Sequence, residues 1–83
     1  MFTTTHIQSL IETGIPGARA IVENPMNDGV HFQARVVAEA FVGLSRVKQH
    51  QLVYAALGSH MESDIHALAL RTFTPDNWPN EAP

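Results

Sequence analysis

The sequence contains no cysteine. That absence excludes a disulfide scaffold, a thiolate zinc site, a CxxC redox motif and a cysteine nucleophile. Metal chemistry is left to five histidines (His6, His31, His50, His60 and His66) and to carboxylates. Charge is sparse as well: 16% of residues are charged, and eight acids against five Lys/Arg give a net charge of −3. Non-specific binding to nucleic acid or anionic membrane needs many cations, so it is not the default expectation. No run approaches the roughly 20 apolar residues that span a bilayer. The opening stretch MFTTTHIQSLIETG lacks a basic flank and a continuous apolar segment, so it does not read as a secretory signal, and a cytoplasmic setting is expected. P-loop, GxGxxG, GxSxG and HExxH motifs are all missing, and no serine has a His/Asp arrangement that the sequence supports. The chain reads as non-enzymatic, with no catalytic residue.

What remains is ordinary globular material. With 83 residues and 45% hydrophobic content, the chain suits one small domain over 1–83. Its core is expected over about 5–78 and a frayed tail over 79–83. In the first segment Thr5 and Gln8 stand at capping-box spacing, Ile7, Leu10 and Ile11 make an apolar stripe, and Gly14 and Pro16 stop a helix. Residues 18–23 read as a strand and 24–29 as a turn or short loop. Over 32–41, Phe32, Ala34, Val36 and Ala38 alternate with Gln33, Arg35 and Glu39, which predicts a longer strand with one packed face and a hairpin with the first. Ser45 is a plausible N-cap for a helix whose stripe is Val47, His50, Val53, Tyr54 and Leu57, with Gly58 at its end. A third strand over 65–72 follows, and Thr74-Pro75 opens a helical turn carrying Trp78. The order helix, strand, strand, helix (breaking into two), strand predicts an α+β fold. A three-stranded mixed sheet, its last strand parallel to a hairpin strand, would carry helices on one face.

Gly14-Ile15-Pro16-Gly17 matches the GxxG phosphate clamp of KH domains, but it joins a helix to a strand, and Pro16 removes one N–H of the clamp. It reads as a helix stop. His6 and His60 read as surface residues and His50 as a hydrogen-bonded core residue. His31 precedes Phe32, and His66 stands at the mouth of the third strand. If those strands are neighbours, both imidazoles start from one end of the sheet, where they are either polar strand ends or part of a metal site. Arg46, Lys48 and His50 form the only local basic cluster, at a helix start that suits a phosphate or a solvated turn.

The segment AFVGLSRVKQHQLVYAAL, residues 40–57, resembles the F-x-G-…-R-H-x-x-V-Y-x-x-L stretch of BolA proteins. Asp28-Gly29-Val30-His31-Phe32 before it, and Ile65-His66-Ala67-Leu68-Ala69-Leu70, Thr72, Thr74-Pro75 and Trp78 after it, fit in order. The likeness runs from about Ile7 to Trp78. The short hairpin loop looks like the YrbA-type bacterial branch. The resemblance implies an α-β-β-α-α-β fold akin to class II KH domains, without a GxxG between its helices. It also implies a monothiol glutaredoxin partner and a shared 2Fe-2S cluster. On the partner side the ligands are a cysteine and a glutathione thiolate; on this side they are His66, matching the family's C-terminal histidine, and His31, the candidate in the hairpin loop. Neutral imidazole in place of thiolate raises a cluster's potential, as in Rieske centres, and releases metal on protonation. Where the family usually carries a basic residue before the helix histidine, this chain has Gln49. The alternatives are a DNA-binding regulator using Arg46 and Lys48, a stand-alone histidine zinc or iron site, and a weak homodimer.

Overall fold

The computed structural model describes residues 3–63, 65 and 67–78. Elements follow in the order α1 (Thr4–Gly14), β1 (Arg19–Glu23), β2 (His31–Val37), a 3-10 turn (Glu39–Phe41), α2 (Arg46–Leu57), α3 (His60–Ser63), β3 (Ala67–Phe73) and a second 3-10 turn (Pro75–Asn77). The sheet order is β1-β2-β3, with β1 antiparallel and β3 parallel to β2. The expected α+β architecture is therefore present.

Alternation along β2 divides the sheet into two faces. Phe32, Ala34 and Val36 are buried, and Ala20 of β1 pairs with Val36 on the same face. Ile7 and Ile11 of α1, Val53 and Leu57 of α2, Ile65 and Phe41 close that core. Each large apolar side chain fully removed from water contributes about 1.5–3 kcal/mol. The opposite face carries Gln33, Arg35 and Arg71. The expected polarity of the strand is borne out.

Element boundaries needed correction in four places. The expected strand over 32–41 stops at Val37, because Phe41 has the wrong parity to share the Phe32/Ala34/Val36 face. The 3-10 turn swings it inward instead, to 0% exposure. Helix α1 is capped by Thr3, whose Oγ1 accepts from the His6 N–H at 3.1 Å, and not by Thr5. Consecutive threonines offer equivalent caps, and this one starts the helix that buries Ile7 and Ile11. The third strand covers Ala67–Phe73 rather than 65–72; the Phe73 carbonyl accepts from the Ala38 N–H at 3.2 Å, which extends its pairing beyond the expected end. Of the predicted α2 stripe only Val53 and Leu57 are buried; Val47 and Tyr54 are 67% and 39% exposed. At about 100° per residue these two stand roughly 60–120° round the helix from Val53 and Leu57, so the buried face is narrower than the spacing implied.

Gly14 and Gly17 have packing and turn roles. A Cβ on Gly14 would lie 2.7 Å from the Cβ of Ala56, so this glycine is where α1 meets α2. Gly17 has φ +81° in the turn into β1. The helix-stop reading of the GxxG string fits the end of α1 at Gly14 and the turn at Gly17, and the approach of Gly14 to Ala56 adds a packing role that it did not include.

Candidate functional site

The loop between β1 and β2 is short, and a single carboxylate organises its end. Asp28 Oδ1 accepts from the backbone N–H of Val30 at 2.9 Å and of His31 at 3.0 Å. Its Oδ2 lies 2.7 Å from Nδ1 of His31. Asn24, in the amide orientation that satisfies its neighbours, donates to the His31 carbonyl at 2.9 Å and to Asp28 Oδ1 at 3.3 Å, and accepts from Gly29 N–H at 2.9 Å. The backbone N–H of His31, then its ring, then the N–H of Val30 hold the Asp28 carboxyl well below the usual carboxylate range. The His31 side chain is 53% exposed.

His31 is the first residue of β2, and its partner in register is Ala67, the first residue of β3. The N–H of Ala67 donates to the Val30 carbonyl at 3.3 Å. The two strands therefore start at the same end of the sheet, as the parallel pairing requires. His66, the other expected ligand, lies outside the described residues. Among the described residues no three His, Asp or Glu side chains converge as a metal site. The described residues fit one imidazole ligand to a group completed by other donors: an exposed ring with one nitrogen already engaged by a carboxylate.

The expected basic cluster is rearranged. Arg46 and Lys48 are both exposed on α2, whose N-cap Ser45 accepts from the Lys48 N–H at 3.3 Å. Arg46 lines a cleft of about 470 Å³ with His50, Leu70, Arg71, Thr72 and Phe73; Lys48 does not. Arg71 sits in register with Arg35 on the open face of the sheet. No carboxylate lies within ion-pair distance of Arg35, Arg46, Lys48 or Arg71 among the described residues. Like charges at facing positions on neighbouring strands repel, so this register disfavours the pair unless an anion covers it. Arg35 and Arg71 were missed as site residues in the sequence, where they are 36 positions apart and only the strand register unites them.

Four further residues, His50, Gln49, His6 and His60, have contacts that bear on their sequence reading. His50 was expected to be a hydrogen-bonded core residue; it is half-buried, and its Nε2 has no hydrogen-bond partner among the described residues. Its ring meets Tyr54 edge-on at 6.4 Å, at the rim of the buried face rather than its middle. Gln49 ties three segments together. Its Nε2 donates to the carbonyls of Phe41 (3.2 Å) and Leu44 (3.0 Å), and its Oε1 accepts from Thr72 Oγ1 at 2.6 Å. A basic residue there would donate to the same carbonyls but accept nothing from Thr72. His6 and His60 lie together, with ring centroids 5.7 Å apart.

Comparison with known proteins agrees with this arrangement. The sequence model for BolA, described as BolA-like protein, matches residues 16–77. The acid stress protein IbaG of Escherichia coli (strain K12) is 44% identical over 52 residues, 61% of this chain and 62% of IbaG. The DNA-binding transcriptional regulator BolA of Vibrio cholerae is 41% identical over 54 residues, 65% of this chain and 51% of that protein. The matched stretches span between 39% and 62% of such curated relatives' own lengths. The solved structure of a BolA homologue from Coxiella burnetii superposes with a TM-score of 0.80 at 52% identity, covering 92% of this chain and 95% of that one. A family match that covers all three strands and α2, joined to a shared fold at that identity, places this chain in the BolA family.

Proposed function

We propose that this chain is a non-enzymatic adaptor that pairs with a monothiol glutaredoxin and supplies histidine ligation to a shared 2Fe-2S cluster, in cluster trafficking or iron sensing. The observation that carries the reading is His31: exposed, at the end where β2 and β3 begin, with Nδ1 engaged by Asp28 and no partner for Nε2 among the described residues. A cluster bound there would supply a redox-active, transferable group. This chain has no thiol, so its share of the ligation falls to imidazole, with His31 and His66 as the ligands and the partner's cysteine and glutathione bringing the sulfur. Imidazole adds no negative charge and leaves metal when protonated, which suits transfer over permanent retention.

The test is a titration with cluster-loaded monothiol glutaredoxin, followed by visible absorption and gel filtration. The wild type is expected to form a mixed complex with an altered spectrum, and His66→Ala and His31→Ala to lose that alteration. A spectrum and complex unchanged in His66→Ala would remove His66 from the account.

A second reading is favoured by arginines that form no ion pair among the described residues, with Glu23 the one carboxylate lining the cleft beside Arg35 and Arg71. Arg35, Arg71 and Arg46 form a cationic strip across the open sheet face and round β3, suited to DNA phosphates, and the Vibrio relative is named a DNA-binding regulator. Mobility shifts across a salt series decide it. Binding through the strip is expected to weaken in Arg35→Ala, Arg71→Ala and Arg46→Ala, each lowering the salt slope by about one. Retention unaffected by those variants and by Lys48→Ala would exclude the reading.

A further inference from the structure

We propose that Asp28 is a positioning residue that fixes His31 as the Nδ1–H tautomer, leaving the Nε2 lone pair as the atom that ligates. The inference rests on the reading of His31 as a cluster ligand and says which nitrogen is used and what sets it. A neutral imidazole has one N–H donor and one lone pair, and the hydrogen bond made by one nitrogen decides the chemistry of the other. Asp28 Oδ2, at 2.7 Å from Nδ1, belongs to a carboxylate whose other oxygen already accepts two backbone N–H groups, an acceptor arrangement that places the ring proton on Nδ1. The other carboxylate oxygen is held by the N–H groups of Val30 and His31, at 2.9 and 3.0 Å, and the carboxylate cannot swing away without breaking both. Asn24 braces the same loop, reaching the His31 carbonyl and the Gly29 N–H at 2.9 Å each.

The Asp28–His31 pair matches the two protein members of a carboxylate–histidine–metal triad. There the outer carboxylate orients the ring and raises its basicity, and its loss costs about 10- to 100-fold in metal affinity. It also explains a choice of residue. Capping the two backbone N–H groups needs only one acceptor oxygen, which Asn or Ser would supply. Only a residue with a second acceptor oxygen both caps the loop and orders the ring proton. Position 28 holds the shortest such side chain.

Asp28→Asn is the discriminating variant. Its Oδ1 keeps the backbone caps, while its amide becomes a donor toward Nδ1 and so reverses the tautomer, placing the proton on Nε2. Long-range 1H–15N correlation spectra of the isolated protein, at a pH where the ring is neutral, read this without any partner. Wild type is expected to show His31 protonated at Nδ1, and Asp28→Asn to show it protonated at Nε2 with the remaining amide spectrum unchanged. Wild type protonated at Nε2 would overturn the proposal. A second measurement follows transfer of the cluster from the mixed glutaredoxin complex to a chelator. Release about 10- to 100-fold faster in both Asp28→Asn and His31→Ala supports positioning. Faster release in His31→Ala with wild-type rates in Asp28→Asn overturns positioning and leaves the ligand intact. Wild-type rates in His31→Ala defeat the ligand reading and the proposal with it.

Discussion

The Asp28 carboxylate receives two backbone N–H groups and faces the His31 ring, all within 3.0 Å, which favours its ionised form. A carboxyl whose pKa is lowered on folding contributes its stabilisation above the unfolded value, near 3.9, and loses it as pH falls through the folded value. The carboxyl carbon of Asp28 is therefore expected to show no titration step near pH 4 by NMR, with the Val30 and His31 amides holding their positions through that range. A step at the ordinary aspartate value would show that the loop is not held this way. Gln49 makes a second residue-scale case, because its amide uses both ends in one place. Gln49→Leu is expected to lower stability by about 1–3 kcal/mol in a denaturant midpoint, since carbonyls of Phe41 and Leu44 lose their donor. Gln49→Lys, keeping a donor and dropping the acceptor for Thr72, is expected to fall between.

At the scale of elements, the helices and strands were legible wherever a local pattern decided them. The β2 alternation, the Ser45 cap, the break of the second helix at Gly58 and the Thr74-Pro75 turn all stand as the sequence implied. Thr74 and Asn77 close that last turn, with Asn77 Oδ1 accepting from the Thr74 N–H at 2.8 Å. What local pattern could not reveal was set by packing. Phe41 leaves the strand period because the core claims its ring, and Val47 and Tyr54 lie outside the face that α1 and β3 leave for α2. Glu12 likewise accepts from the Ala20 N–H at 3.0 Å, tying α1 to edge strand β1 across eight residues, a contact no local spacing signals. Two substitutions measure these junctions. Gly14→Ala pushes a Cβ to within 2.7 Å of Ala56, backed by helix rather than a flexible side chain, and is expected to destabilise by about 1–3 kcal/mol. Phe41→Ala, at a fully buried site, is expected to lose about 3–5 kcal/mol. An unchanged melting temperature in either would contradict the packing described.

Over the whole molecule, the sheet separates two chemistries. Its starting end holds His31 beside Ala67, and its open face and β3 carry Arg35, Arg71 and Arg46. Four residues of strand, about 13 Å at 3.3 Å each, separate His31 from Arg35. That β2 and β3 begin at one end was legible from the sequence because parallel pairing follows from a helical crossover. The arginine strip was not, because Arg35 and Arg71 meet only through register. Among the described residues no helix is long and apolar enough to cross a membrane.

The decisive property of the molecule is whether an imidazole nitrogen of this chain reaches the iron of a shared cluster. Labelling its histidines with 15N, forming the complex with unlabelled cluster-loaded glutaredoxin, reducing it and recording pulsed EPR asks that question directly. The expected spectrum contains 15N couplings from this chain's histidines, diminished in His31→Ala. A spectrum indifferent to the label would contradict histidine ligation, and with it the adaptor role proposed for this chain.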